Sequence, residues 1–385
     1  MKFPGSNSPS AVIRSFPRRF AAALVLLAPG ASFTAWSQDK AASNAARRAV
    51  GIEQLVAVRD ICAWPKLTLA ANGDIVAAVY NQPAHGALPG DVEVHASADG
   101  GRTWTKRGTA TRHEGDTGRL NHSIGRSAKG DLIVVSGGWS FHPRDAQGAY
   151  KKKKLLRPTA SRSNDGGRTW MIAENFPDGA DGMTLVPFGN VETGADGALR
   201  VAAYSYNTTV SPRVDVCYTA LSRDNGATWT LGGVIGRPAA NETDIVHLGG
   251  GKWLAAARNL GRPGERGHST DIYASDDDAN TWRLIATPTL GNQHPGDLLK
   301  LADGRVLLTF GDRRGPDFGV GGSISADGGK SWSKPFQLAA GLATRDSGYP
   351  SSVQLTDGTI VTGYYASKSK QYDGYQFGVV RWRLE

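Results

Sequence analysis

Tyrosine, glutamate, histidine, arginine and tryptophan recur at corresponding points of an internal repeat in this 385-residue chain. One set is Trp64, His122, Asn190, Glu242, His294 and Tyr349. The other is His85, Trp139, Tyr206, Arg258, Arg313 or Arg314, and Tyr365. Connecting segments ordinarily carry Gly, Ser, Asn and Asp, so this enrichment points to a shared chemical task. An arginine holds a carboxylate through paired hydrogen bonds. Aromatic faces stack on sugar rings, while His, Glu and Tyr move protons or attack a carbon.

The elements that must position these residues are short hairpins. Leu67–Ala70 and Ile75–Tyr80 flank Asn72-Gly73, and Leu298–Leu301 and Val306–Phe310 flank Asp303-Gly304. The same pattern surrounds Lys129-Gly130, Asp196-Gly197, Gly249–Gly251 and Asp357-Gly358. Six hairpins of β-branched and aromatic residues between Gly turns predict six four-stranded β units. No long helical period competes with them outside the leading segment. An octamer S-x-D-x-G-x-[ST]-W closes at Trp104, Trp170, Trp229 and Trp332, with a degenerate copy, Ser275–Trp282, in which Ala279 replaces Gly. The five copies are spaced by about 50 to 66 residues, a solenoid or propeller period. In each, Asp accepts from turn amides, Gly supplies a positive φ, and Trp covers the turn.

These octamers resemble the Asp boxes of sialidases and related propellers, where they are structural and lie at the rim away from the active site. The resemblance implies an all-β, six-bladed β-propeller with four-stranded antiparallel blades over residues 53–385. The box joins the third and fourth strands of a blade. The last blade ends on its third strand, Tyr375–Arg383, so its outer strand is expected from Gln54–Asp60, which removes an open edge. In such propellers those two sets of positions line the pocket. Asn241-Glu242 with Trp253–Asn259 is similar to the sialidase segment bearing a buried Glu and a carboxylate-binding Arg, which maps onto Glu242 and Arg258. Ser347–Ser352 is similar to the segment with the tyrosine nucleophile, which implies Tyr349 as nucleophile and Glu242 as its proton acceptor. Arg313 or Arg314 falls where a further pocket arginine is expected. A neutral nucleophile suits a carboxylate sugar, because an anionic one is repelled.

The first blade departs from that pattern. Ala63-Trp64-Pro65 stands where sialidases carry Arg-Ile-Pro, so one arginine is missing unless Arg59 or Arg112 substitutes. His85 is the better-placed proton donor, with Asp91 the other acid–base candidate. The reading that follows is a sialidase-like glycoside hydrolase cleaving an acidic sugar by a retaining mechanism, with catalytic Tyr349, Glu242 and His85. Arg258, Arg313, Arg314, Trp64, His122, Trp139, His294 and Tyr365 bind substrate in this reading. A polysaccharide lyase acting on uronic-acid glycans, or a non-catalytic glycan-binding propeller, are the competing readings.

Residues 1–37 read as a signal peptide: Lys2, Arg14, Arg18 and Arg19 precede the apolar run Phe20–Ala28 and the small-residue end Ala35-Trp36-Ser37. That run falls short of the about 20 residues a bilayer needs, so the expectation is a secreted or periplasmic protein without stable membrane insertion. Residues 38–52 read as a flexible lead-in. Without the four basic residues the formal charge of +9 becomes +5, too mild to imply nucleic acid, and Lys151–Lys154 reads as a solvated loop. Cys62 and Cys217 are too few for a disulfide framework. No CxxC, HExxH, P-loop or dinucleotide fingerprint occurs, so no metal or cofactor is expected. A closed propeller pairs its own edges, which predicts a monomer.

Overall fold

The computed structural model describes residues 48–61, 63–206, 214–236, 240–261 and 268–385. The expected signal segment, most of the lead-in and Cys62 lie outside them. Burial pushes the Cys217 thiol up to about 12.

The described residues form strands and turns, with no helix among them. They make antiparallel four-stranded groups in chain order. Repeat one is Lys66–Leu69, Ile75–Tyr80, Val92–Ser97 and Thr105–Thr111. Repeat two is Thr117–Arg126, Leu132–Ser140, Thr159–Ser163 and Met171–Ala173. Repeat three is Leu185–Thr193, Leu199–Ser205, Cys217–Ser222 and Thr230–Gly236. Repeat four is Ala240–Gly249, Lys252–Asn259, Ser269–Ser275 and Arg283–Ala286. Repeat five is Gln293–Lys300, Val306–Asp312, Phe318–Ser325 and Phe336–Leu342. Repeat six is Ser347–Gln354, Ile360–Ala366 and Gln376–Leu384, completed by Ala49–Arg59. That last strand pairs from Ala49 to Arg59, so residues 49–52 belong to the sheet rather than to a lead-in.

By hydrogen bonding these groups are five sheets, because repeats two and three merge, with the short strand Lys154–Leu155 added to repeat two, into one of nine strands. The joint is a short parallel contact of Asn190 and Val191 with Ile124 and Gly125. Gly125 permits it: a Cβ there would sit 1.8 Å from the Val191 carbonyl oxygen. Between repeats, apolar faces interlock. Val246, Leu254 and Ile272 of repeat four pack on Leu298, Leu308 and Phe310 of repeat five, each large side chain contributing about 1.5–3 kcal/mol on burial.

The Asp boxes fold as their residue types dictate. In the second, Asp165 accepts from Thr169 N at 3.0 Å, Thr169 Oγ1 at 2.6 Å, Arg168 N at 2.9 Å and Ser163 Oγ at 2.7 Å. Trp170 Nε1 donates to Gly167 O at 3.0 Å. Those hydrogen bonds hold the Asp165 carboxyl far below its ordinary value. Asp165→Ala should cost about 1–2 kcal/mol. Urea unfolding would show this, and an unchanged midpoint would remove the box's stabilising role.

Around the axis, the innermost strands are stitched by side chains at one level. Asp244 Oδ2 accepts from Leu298 N at 2.7 Å, Asp297 Oδ2 from Ser352 N at 3.0 Å, and Ser351 Oγ from Leu67 N at 3.0 Å. Asp244 Oδ1 also accepts from Asn190 N at 2.6 Å. Lys66 is fully buried at this level, its ammonium 4.2 Å from the centre of the Phe188 ring. Farther along, Glu192 borders a cavity of about 450 Å³. Burial, then the Asp244 charge, pushes Glu192 up to about 8. The folded state therefore keeps a proton that the unfolded chain releases near its ordinary value of 4.5, and stability from Glu192 falls as pH rises from 4.5 to about 8. His122, held down at about 4 mainly by burial, acts with the opposite sign below 6.5. Comparing Tm of the wild type and Glu192→Gln between pH 5 and 8 isolates the effect. The wild type should lose more Tm across that range; parallel curves would refute it.

Candidate active site

Each innermost strand from repeat two to repeat six carries a bulge near its start. Pairing skips Asn121, Gly189-Asn190, Glu242, His294-Pro295 and Tyr349-Pro350. A bulge re-aims a side chain out of the alternating pattern, and here it frees Glu242, His294 and Tyr349 to face a common pocket. Tyr349 has φ 52°, and Trp64, ahead of the first strand, has φ 60°. Such left-handed conformations of bulky residues cost on the order of 1–3 kcal/mol and concentrate at functional sites.

The pocket encloses about 580 Å³, inside the about 300–1,000 Å³ usual for small-ligand sites. Its floor is a hydrogen-bonded triplet. Tyr349 O–H donates to Glu242 Oε1 at 2.8 Å, and Arg258 Nη1 donates to Glu242 Oε2 at 2.5 Å and to Tyr349 OH at 3.4 Å. Burial raises the Glu242 carboxyl, but the Arg258 charge and hydrogen bond outweigh it and hold Glu242 below its ordinary value. Burial and the Glu242 charge push the Tyr349 phenol well up, so it stays neutral. The result is an ionised base beside a neutral hydroxyl, the pairing that activates a nucleophile.

Opposite stands a second cluster. His85 Nδ1 lies 2.6 Å from Asp346 Oδ1, which also accepts from Tyr365 OH at 2.6 Å, while Asp346 Oδ2 accepts from Tyr375 OH at 2.5 Å. Burial raises Asp346, but His85 and both phenols outweigh it and bring it to about 2. An ionised carboxylate thus orients the imidazole, as in a general acid–base dyad.

Arg313 reaches the pocket but spends its donors on backbone. It donates to Arg345 O at 3.0 Å, to Ser347 O at 2.6 Å and to His294 O. Its guanidinium carbon stands 5.3 Å from the centre of the Tyr349 ring. The guanidinium therefore ties the Tyr349 segment in place instead of presenting an open fork to a carboxylate. Arg345 and His268 complete the lining. Arg258 contacts His268 Nδ1 through Nη2 at 2.7 Å.

The structure brings Tyr349, Glu242, His85, Arg258, Arg313, His294 and Tyr365 together around one pocket. Trp64 and Trp139 line an adjoining cavity. Three expected residues fall elsewhere, one being Asn190, which is buried and borders the cavity of about 450 Å³ with Glu192. His122 is buried with Nε2 at 2.9 Å from Ala78 O. The bulge in repeat two falls on Asn121, and a one-residue slip sends His122 to the other face. Arg314 is exposed and pairs with Asp312 at 2.8 Å. Nor do the alternatives for the missing groups reach the pocket. Asp91 binds His113 at 2.7 Å, Arg112 lines a separate cavity with Asp91, and Arg59 covers Tyr372 at 5.2 Å. Sequence reasoning missed Asp346, His268, Arg345 and Lys152. Asp346 sits three residues before Tyr349, and that proximity was its one available signal.

Comparison with known proteins adds the family context. The BNR repeat-like domain family matches residues 90–362. No curated protein sequence matches the chain. Among solved structures, a protein of unknown function from Dyadobacter fermentans superposes with TM-score 0.73 at 23% identity, covering 89% of this chain and 100% of that one. The K499G mutant of NanB sialidase from Streptococcus pneumoniae gives TM-score 0.62 at 13% identity, covering 85% and 68%. Trypanosoma rangeli sialidase in complex with the inhibitor DANA gives 0.58 at 15%, covering 85% and 55%, so the chain spans about half that enzyme's length. At these identities the likeness is one of fold.

Proposed function

Because the chain belongs to the BNR repeat-like family of sialidase-like β-propellers, we propose that it is an exported glycoside hydrolase cleaving an acidic sugar from a glycan. The observation that carries this reading is the 2.8 Å hydrogen bond from buried Tyr349 to ionised Glu242. Glu242 takes the phenolic proton as the Tyr349 oxygen attacks the anomeric carbon, forming a covalent glycosyl intermediate and retaining configuration once water displaces it. The neutral phenol approaches a carboxylate-bearing sugar without charge repulsion. His85, oriented by Asp346, serves the leaving oxygen and then the attacking water. Export rests on residues 1–37 alone.

A lyase reading has one observation in its favour. The commitment of Arg313 to three backbone carbonyls leaves no two-arginine clamp, while His85 and Tyr365 together suit proton abstraction beside a uronate carboxyl. Incubating the purified protein with a panel of acidic glycans separates the two. New reducing ends without an ultraviolet-absorbing unsaturated sugar are expected. An unsaturated product would replace hydrolysis by β-elimination, and binding without turnover would make the protein a lectin-like binder.

A further inference from the structure

Beside the pocket lies a second cavity of about 680 Å³, joined to the first through His85, Tyr204, Tyr206 and Glu242. Its lining includes Trp64, Trp139 and the run Lys152–Lys154. The sequence reads Lys151–Lys154 as a solvated loop, and all four are exposed, yet the loop is tied back beside the cavity. Lys151 Nζ binds Asp145 at 2.9 Å, Lys153 N donates to Ser140 O at 2.8 Å, and Lys154–Leu155 pairs with Trp139 and Ser140.

The chemistry of this lining is that of anion and sugar recognition. Lys152 Nζ stands 5.5 Å from the centre of the Trp139 ring, and Trp139 meets Tyr206 edge-on at 5.5 Å and 89°. A Cβ added at Gly86 would lie 3.2 Å from Lys152 Nζ, which places the ammonium against the loop that carries His85. Lys152 makes no ion pair or hydrogen bond through its ammonium among the described residues. Lys152 is solvent-exposed where it borders the cavity. Arg258 and Arg313, by contrast, are engaged with Glu242, His268 and backbone oxygens. The lysines are the cations that line this second cavity, and an indole face beside an ammonium accepts an anionic sugar ring.

We propose that this second cavity is a saccharide subsite selecting an anionic sugar unit, carboxylated or sulfated, next to the linkage that Tyr349 and Glu242 attack. It rests on the glycan-cleaving reading of the pocket and extends it to a second sugar. The test is titration calorimetry of the full chain carrying Tyr349→Phe, which prevents turnover. The probes are tetragalacturonate, a sulfated tetrasaccharide without carboxylates, and neutral cellotetraose. At least one anionic probe should bind, the one that does identifying carboxylate or sulfate. Adding Lys152→Ala and Lys153→Ala should weaken that binding about tenfold or more, without altering the circular dichroism spectrum. Lys152→Arg alone should largely retain it. Equal affinity with and without the two lysines, or no binding of either anionic probe, would overturn the subsite. Lysine-dependent binding by a wild type that releases no reducing ends would instead overturn hydrolysis and leave the subsite standing.

Discussion

Tyr349→Phe should lower kcat by at least about a thousandfold, the scale lost when a nucleophile or its proton transfer is removed. The substitution deletes one oxygen. The ring keeps its contacts with Phe188 at 5.9 Å, Tyr365 at 5.6 Å and Trp64 at 6.0 Å between centroids. Arg313 still anchors the segment, and Glu242 retains Arg258 as its counter-charge. Affinity for glycan should accordingly stay within about tenfold, since a single neutral hydrogen bond contributes only about 0.5–1.5 kcal/mol net. Steady-state kinetics alongside calorimetric binding separates the two quantities. Turnover within tenfold of the wild type would exclude the phenol as nucleophile and leave the His85–Asp346 dyad as the reacting group.

The largest stability loss is expected from Asp244→Ala. Asp244 is fully buried and accepts backbone N–H bonds from Asn190 in repeat three and Leu298 in repeat five. Burial raises its pKa, and the Lys66 charge opposes that shift. Alanine leaves two buried amides unpaired and deprives Lys66 of one carboxylate. Together these should cost about 3–5 kcal/mol. Asp244→Asn should cost less, because its amide oxygen still accepts one N–H. Equilibrium urea unfolding of both variants provides the measurement. A loss below about 1 kcal/mol would mean that the stitch is dispensable and that apolar packing alone holds repeats three to five together.

Much of the scaffold was legible before any coordinates. Apolar alternation and Gly turns are local signals, so the hairpins around Asn72-Gly73 or Asp303-Gly304 declare themselves. The Asp boxes are legible for the same reason: every partner of Asp165 lies within four residues of it. Closure by the N-terminal side followed from a counting argument, since the last repeat has only three strands after Ser347. Glu242, Arg258 and Tyr349 stood out because they fall at equivalent points of the repeat, in segments that resemble those of sialidases.

What the sequence determined by itself is the repeat, its turns, the order of its strands and the positions from which side chains enter the centre. The tertiary structure decided which of those side chains arrive there. His122 and Asn121 are neighbours, and only the bulge in repeat two settles which one turns outward from the core. Arg313 carries the expected charge, but its use depends on carbonyls of His294 in the preceding strand and of Arg345 and Ser347 more than 30 residues on. His85 meets Asp346 across 261 residues of chain, and Lys152 enters from a loop in repeat two. The physical reason is the same in each case. Strand and turn formation is encoded within a few residues, whereas convergence at the axis depends on segments that are remote in sequence and on bulges that shift side-chain direction by one position.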